Sequence, residues 1–583
     1  MSVSSLPAEG VLRPSRRIDP WPGAILAVVI AVSILIVLQL VIVLGLSFFE
    51  GELGGESGHF GIGNFLSVFG DSFTFRVIVN TIWFSFATLI VSMAFGIPAA
   101  WLVERTDFPG KTVLFTLMTL GLLIPGFTSA MGWLFLLHPR IGLVNKFLVD
   151  LFALQGPPFS ITNVWGMGWV QGLNLAPIAF IMTAAAFRAM DPALEEAAYM
   201  CRAGFRRTWM SVTARLVWPS ILAASIYIFT IGFAAFDVPA VIGWSARIYT
   251  FSTYMVSLIN VREGLPQYGT VAALSTSIVA VAGLLSWWYG RVQRRARQYE
   301  VVSGKGYRPR IIQLKRWVWP AWIYLGLFFM CSKLLPLLVL VWVSLLPYVQ
   351  LPSIESFKTA SLNNFSKIDW SLAGHSITNT AILMVLVPTL TLMISIAFSW
   401  IVLRSRIPNR GIFDTIAFLP HAVPNIVFGI ATMLVTLFVI DRIVPIYGTI
   451  WILALVFIVG RLSYGTRMTN GGLIQINREL DESAQMGGAN TGMVLRSIIC
   501  PLLAPTLLYA WLWIALMCYR ELTLAVLITK FENMTLPVLI WSTWATGQQG
   551  TAAALGLIML VSMVPLVILY WIVARRLGFG AQG

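Results

Sequence analysis

The chain alternates long apolar runs with short polar interludes. Apolar runs of about 18 residues or more can cross a bilayer as helices. The pattern predicts them at Ala24 to Phe48, Val77 to Val103, Val113 to Leu137, Val164 to Ala186, Ile221 to Ile242 and Val271 to Tyr289. They continue at Trp319 to Leu346, Ala381 to Val402, Ile412 to Ile440, Thr449 to Gly460, Leu502 to Ile528 and Ala553 to Val573, and the run after Thr449 is expected to extend past Arg461. The expected fold class is an all-α polytopic membrane protein of about 12 transmembrane helices.

The pattern repeats. Asn80-Thr81, Ile97, Trp101, Val103, Arg105 and Pro109 recur at one constant offset as Asn379-Thr380, Ile396, Trp400, Val402, Arg404 and Pro408. Downstream the offset shrinks, and Glu196 answers to Glu482. Six spans per copy is even, so the copies enter the membrane in one orientation, as two parallel six-helix repeats about an axis along its normal. The expected division is residues 1–75 (tail, first span, outer loop), 76–290 (first repeat domain), 291–374 (basic linker, seventh span, outer loop) and 375–583 (second repeat domain).

Two polar interludes look built for docking. Leu480 to Met486 has good helix formers and ends in Gly487-Gly488, residues suited to a left-handed helix end. Asn490 or Thr491 can cap a second short helix from Gly492 to Ile499, where Met493, Val494 and Ile498 share an apolar stripe, ahead of Pro501 and Pro505. In the first half, Asp191-Pro192-Ala193-Leu194-Glu195-Glu196-Ala197-Ala198 opens with an N-cap aspartate, a proline at the first helical position and acids in the first turn. It continues through Gly204 to Pro219.

Composition sharpens this picture. Charged residues are 11% of the chain and apolar residues 58%, against about a quarter charged in ordinary soluble domains. In a soluble protein the net charge of +15 would suggest nucleic acid. Here Arg291, Arg294, Arg295, Arg297, Lys305, Arg308, Arg310, Lys315 and Arg316 face the single acid Glu300 in a linker tethered to spans at both ends, which marks it as cytoplasmic. Arg13, Arg16 and Arg17 put the N-terminal tail on the same side, and Arg575 and Arg576 the C-terminal end. Cys201, Cys331, Cys500 and Cys518 are dispersed and read as small buried residues. His59, His138, His375 and His421 have no metal-ligand spacing and read as interfacial. No Gly-x-x-x-x-Gly-Lys-Ser/Thr cradle occurs, so ATP hydrolysis is not expected of this chain.

Both docking stretches resemble the Glu-Ala-Ala loop of the permease subunits of bacterial ABC importers, in which Glu-Ala-Ala is followed by three residues, a glycine and a proline before the next span. The second fits with Glu482, Ala484, Gly488 and Pro501. The first keeps Glu196, Ala197 and Ala198, but Arg202 stands at the glycine and Arg215 at the first proline. The resemblance implies a type I ABC importer permease fold in the bacterial inner membrane, with both termini cytoplasmic. It also implies that two copies of a separate ATPase, using ATP and Mg, grip these loops, with Glu195, Gly204 and Ala489 among the contact residues and coupling helices at about Ala203 to Met210 and Ala489 to Leu495. Substrate would arrive from a periplasmic binding protein. No cofactor is expected on the chain, and no nucleic acid partner.

Phe236-Asp237-Val238-Pro239-Ala240-Val241-Ile242-Gly243, Tyr519-Arg520-Glu521-Leu522-Thr523 and the fusion of two halves look most like ferric-iron importers, with thiamine, polyamine and phosphonate permeases as alternatives. Asp237 and Glu521 lie about the same distance after their loops. An ionised carboxylate facing lipid costs roughly 2.5 to 3.5 kcal/mol on insertion scales, so both are expected to face the interior as translocation-path candidates. Two carboxylates would offer a ferric ion hard oxygen ligands. The structural alternative pairs Glu521 with Arg520 or Arg442 and lets Asp237 cap amides near Pro239. A major-facilitator-type secondary transporter also has parallel six-span halves, and Glu104-Arg105-Thr106-Asp107-Phe108-Pro109-Gly110-Lys111 faintly echoes its loop. It lacks capped hairpins between the fourth and fifth spans of each half.

Overall fold

Inside hydrocarbon a backbone must satisfy its own hydrogen bonds, which leaves this chain only helices for crossing. The computed structural model describes residues 19–51, 58–121, 124–190, 193–260, 267–297 and 311–576. Among them ten helices are long and apolar enough to cross a membrane, and one bent pair brings the number to eleven. In chain order the first half has its first span at Trp21–Ser47, second at Ser72–Arg105, fourth at Val164–Ala189, fifth at Ala214–Ala234 and sixth at Tyr268–Arg297. The second half has its seventh span at Lys315–Leu345, eighth at Trp370–Leu403, tenth at Ile450–Gln475, eleventh at Cys500–Tyr519 and twelfth at Gln549–Arg576. The tenth runs on past Arg461, as its interrupted pattern predicts.

The third and ninth positions differ from the sequence expectation of single runs. The ninth is a pair, Gly411–Ala422 and Asn425–Ile440, bent by 109°. At the third position stand Lys111–Gly121 and Gly126–Leu137, and residues 122–123 lie outside the described residues. The second helix of each pair starts directly after a proline, Pro125 or Pro424, which disfavours helical backbone in the residue before it. The fifth and eleventh spans also end earlier than their apolar runs, at Ala234 and Tyr519. The next charged residues beyond these ends are Asp237 in one half and Arg520-Glu521 in the other.

The repeat carries specific hydrogen bonds. Thr81 Oγ1 accepts from the Phe251 amide at 3.0 Å, and its counterpart Thr380 Oγ1 accepts from the Leu536 amide at 2.9 Å. Asn80 Nδ2 donates to the Tyr249 carbonyl at 3.3 Å, and Asn379 Nδ2 donates to the Glu532 and Met534 carbonyls, each at 3.1 Å. Asn64 Nδ2 likewise reaches the Phe49 carbonyl at 2.7 Å just past the first span, and Asn364 Nδ2 the Leu346 carbonyl at 2.7 Å just past the seventh. From Val164 onward the halves keep register: Val164–Ala189 answers to Ile450–Gln475, the π turn Trp209–Thr213 to Leu495–Ile499, and Asp237 to Thr523.

The halves exchange their leading spans. The first span packs on the sixth of its own half and also on the eighth and ninth, with Gln39 Nε2 donating to Thr432 Oγ1 at 3.1 Å. The seventh packs on Gly126–Leu137 of the first half, so closely that a Cβ on Gly132 would stand 2.6 Å from Pro336 backbone atoms.

Losing a hydroxyl that satisfies a buried amide costs about 1 to 3 kcal/mol. Thr81→Val and Thr380→Val should each lower thermal stability in detergent by that amount. The two hydroxyls serve different amides and share no partner, so the double variant should show the sum. A shift in one single variant alone would show that the two bonds are equivalent in geometry but not in energy.

Candidate functional site

The second polar interlude folds as the sequence predicts. Arg478–Met486 is a helix capped by Asn477 and closed at Gly487, and Gly488 takes a left-handed φ of +88°. Asn490 then caps Thr491–Val494, its Oδ1 accepting from the Met493 amide at 2.8 Å. The first interlude gives Ala193–Met200 and Phe205–Thr208, while the predicted cap Asp191-Pro192 lies outside the described residues.

Both turns are closed in the same way. The Ala203 amide donates to the Ala198 carbonyl and the Ala489 amide to the Ala484 carbonyl, each at 3.0 Å. Arg202, in the place of Gly488, adopts φ +58°, a left-handed conformation that an arginine holds at a cost of about 1 to 2 kcal/mol. Glu196, Ala197, Gly204, Glu482 and Gly488 are exposed, and Ala198, Ala484 and Ala489 are half-buried. Pro501 follows the π turn Leu495–Ile499, at the point where the regular α-helix of the eleventh span begins.

Each hairpin is bolted to the end of its half's second span by a buried ion pair. Arg105, 1% exposed, pairs with Glu195, 4% exposed, whose other oxygen accepts from Thr213 Oγ1 at 2.6 Å. In the second half Arg404 Nε lies 3.2 Å from Asp481 Oδ2, and its Nη2 donates to the Ile476 carbonyl at 2.7 Å. Burial pushes the Asp481 carboxyl above its ordinary value, against the pull of Arg404 and Arg478. The acid before the motif glutamate is therefore the structural one, and the motif glutamates Glu196 and Glu482 face outward.

Sequence reading had placed Arg105 and Arg404 in the repeat without assigning them partners. The signal available was their shared register together with an acid preceding each motif glutamate. It also missed the exposed methionines at matching positions, Met200 at 86% and Met486 at 91%. A further contact belongs to the second hairpin. Asp19 Oδ2 accepts from the Thr491 amide at 2.6 Å, and the Trp21 ring covers Gly492. Burial pushes the Asp19 carboxyl up, but hydrogen bonds from Thr491 and Trp21 outweigh it and hold it below its ordinary value.

Asp237 and Glu521 come within electrostatic range of each other near the interface of the halves. They are not repeat counterparts, because the register assigns Asp237 to Thr523. Thr523 Oγ1 donates to Asp237 Oδ1 at 3.0 Å, so equivalent positions touch across the pseudo-twofold axis. Glu521 pairs with Arg461, a partner the sequence reading did not name, and its Oε1 accepts from the Leu524 amide at 3.0 Å. Arg520 lies in electrostatic range of both acids. Among the described residues no group of three or more His, Cys, Asp or Glu side chains could hold a metal ion.

Comparison with known proteins places this architecture. The family model for the inner membrane component of binding-protein-dependent transport systems matches twice, at residues 92–298 and 394–579. The ferric transport system permease protein FbpB of Actinobacillus pleuropneumoniae is 25% identical over 94% of this chain and 78% of its own length. The Fe(3+)-transport system permease protein FbpB 2 of Haemophilus influenzae is 23% identical over 85% of this chain and 89% of its own. The molybdenum transport system permease protein ModB of Escherichia coli K12 is 25% identical over 38% of this chain and 94% of its own, a single-copy relative. The double match sets aside the secondary-transporter reading. The chain belongs to the family of inner membrane components of binding-protein-dependent transport systems, as two permease domains fused in one multi-pass membrane protein.

Proposed function

We propose that this chain is the complete membrane path of an ATP-driven importer, gripped by two ATPase copies on one side and fed by a periplasmic binding protein on the other. One observation carries the reading: both halves present the same helical hairpin, closed by the same turn, with an exposed terminal methionine and an arginine–acid anchor, at the same end of the bundle. Exposed, adaptable methionines at the tips suit a partner surface. The short helices Phe205–Thr208 and Thr491–Val494 run without a break through π turns into the fifth and eleventh spans. A displacement of a hairpin would therefore reach the membrane as a rigid-body movement.

Ferric iron is the proposed cargo, supported by the relatives named for ferric transport that match the fused chain over most of its length. Asp237 and Glu521 are the proposed path residues. The molybdenum relatives, each matching one half, support an oxyanion as the second reading. The bacterial inner membrane is the proposed location, with the hairpins, both termini and the basic linker in the cytoplasm, consistent with their positive residues.

Contrary to the sequence expectation of a buried residue, Cys201 is exposed on the first hairpin, and it offers a native probe of orientation. A membrane-impermeant maleimide should modify it in inside-out vesicles and not in intact spheroplasts. The reverse pattern would invert the topology. Bound ATPase should protect it.

Gly488→Arg forces a side chain into a left-handed turn on the docking face and should cut ATPase copurification severalfold while leaving insertion intact. Arg202→Gly relieves that same strain and should retain ATPase and transport. Equal loss in both variants would show that the hairpins do not differ in this way.

Arg105→Met strands a buried carboxylate and should cost roughly 3 to 5 kcal/mol, read as a lower melting temperature and reduced ATPase recovery. Adding Glu195→Gln should restore most of both. A single variant as stable as the parent would remove the anchor role.

A further inference from the structure

Charge is scarce in these spans, which makes one concentration of it informative. Lys333 lies in the seventh span within the π turn Met330–Leu334, a distortion that often marks functional positions in helices. Its Nζ donates to the Gly121 carbonyl at 3.2 Å, at the open end of Lys111–Gly121. Lys333 and Arg461 are both in electrostatic range of Arg520, and Arg520 is in range of Asp237 and Glu521. The five groups form one cluster of three cations and two acids, drawn from both halves.

Both acids are already engaged, Glu521 by Arg461 and the Leu524 amide, Asp237 by Thr523. The unfilled capacity consists of donors. Arg461 Nε and Asn174 Nδ2 are buried with no hydrogen-bond partner among the described residues. Asn174 Nδ2 and Asp237 Oδ2 border the same cradle, each 3.5 Å from where a Cβ on Gly126 would stand. A bare hard cation needs several oxygen ligands, and this cluster offers it more repulsion than ligands. An excess of buried cations with free donors calls for an acceptor that brings negative charge.

We propose that this cluster binds an anionic oxygen group, such as a phosphate, a carboxylate or a metal oxyanion, so that cargo passes as an anion or as a metal complex with anionic ligands. The proposal rests on the importer reading only for calling the site part of a path; the site itself does not depend on it. The ligand oxygens accept from Lys333, Asn174 and Arg461 Nε, while Asp237 limits how tightly they are held.

The test is equilibrium binding to the full-length chain in phosphatidylcholine nanodiscs, with labelled phosphate, molybdate, citrate and ferric citrate as probes. Saturable binding of at least one probe is expected. Lys333→Met should weaken it at least tenfold and Lys333→Arg far less, while Asp237→Asn, which removes the opposing acid, should tighten it. Ferric citrate bound more tightly than citrate would assign the anion to a metal complex, and phosphate or molybdate bound best would assign a free oxyanion. Absence of saturable binding to the unaltered chain overturns the proposal, whatever the folding of the variants. Unchanged affinity in a folded Lys333→Met variant, or unchanged or weaker binding in Asp237→Asn, overturns it too. Failure of ATPase copurification would count against the importer reading alone.

Discussion

An amide or carbonyl left open in hydrocarbon costs several kcal/mol, and this chain is broken inside its apolar regions more than once. Three of the described helix ends are closed by a side chain from elsewhere in the fold. Thr81 and Thr380 take the first amides of the short helices Phe251–Ile259 and Leu536–Ala545, and Lys333 takes the carbonyl at the end of Lys111–Gly121. Because these closures reach between spans, a broken segment cannot move without its partner span.

The hairpins meet this scaffold at two points each. One is the ion pair at the end of the second or eighth span, Arg105 with Glu195 or Arg404 with Asp481. The other is the continuous helix that leads through the π turn into the fifth or eleventh span. A lever held at two separate spans turns them together rather than bending one. The second hairpin has a further hold, since Asp19 and Trp21 at the start of the first span lie on Thr491-Gly492. On the first side the linker instead holds the end of the second span, where the Ile312 amide donates to the Arg105 carbonyl at 2.9 Å and the Leu314 amide to Asp107 Oδ1 at 2.8 Å.

What could be read from sequence was what local chemistry decides. Gly487-Gly488, Asn490 and the acidic first turns determine the hairpins within a few residues, and a constant register exposed the repeat. Apolar length alone did not reveal the breaks that end at Pro125 and Pro424, because a run of apolar residues looks the same whether or not a proline bends it. The ion partners were out of reach for a different reason. Arg105 lies 90 residues from Glu195 and Arg461 60 from Glu521. Nothing local in the chain says which acid a buried arginine will meet. Pairing Asp237 with Glu521 by distance from the loops was two residues out of register, enough to hide that Asp237 and Thr523 are counterparts.

That last pair bears on why the two halves share one chain. A residue on a twofold axis faces its own copy, so an aspartate there in a symmetric dimer would set two carboxylates against each other, where one must give up its charge. In the fused chain the second copy is Thr523, and its hydroxyl donates to Asp237 instead. The same freedom sets Arg461 where the first half has Leu175, and Arg520 where it has Ala234. A symmetric assembly would duplicate each of these cations across the axis and double the unbalanced charge. Fusion allows a single off-axis set of charges, with one acid and one hydroxyl meeting at the centre.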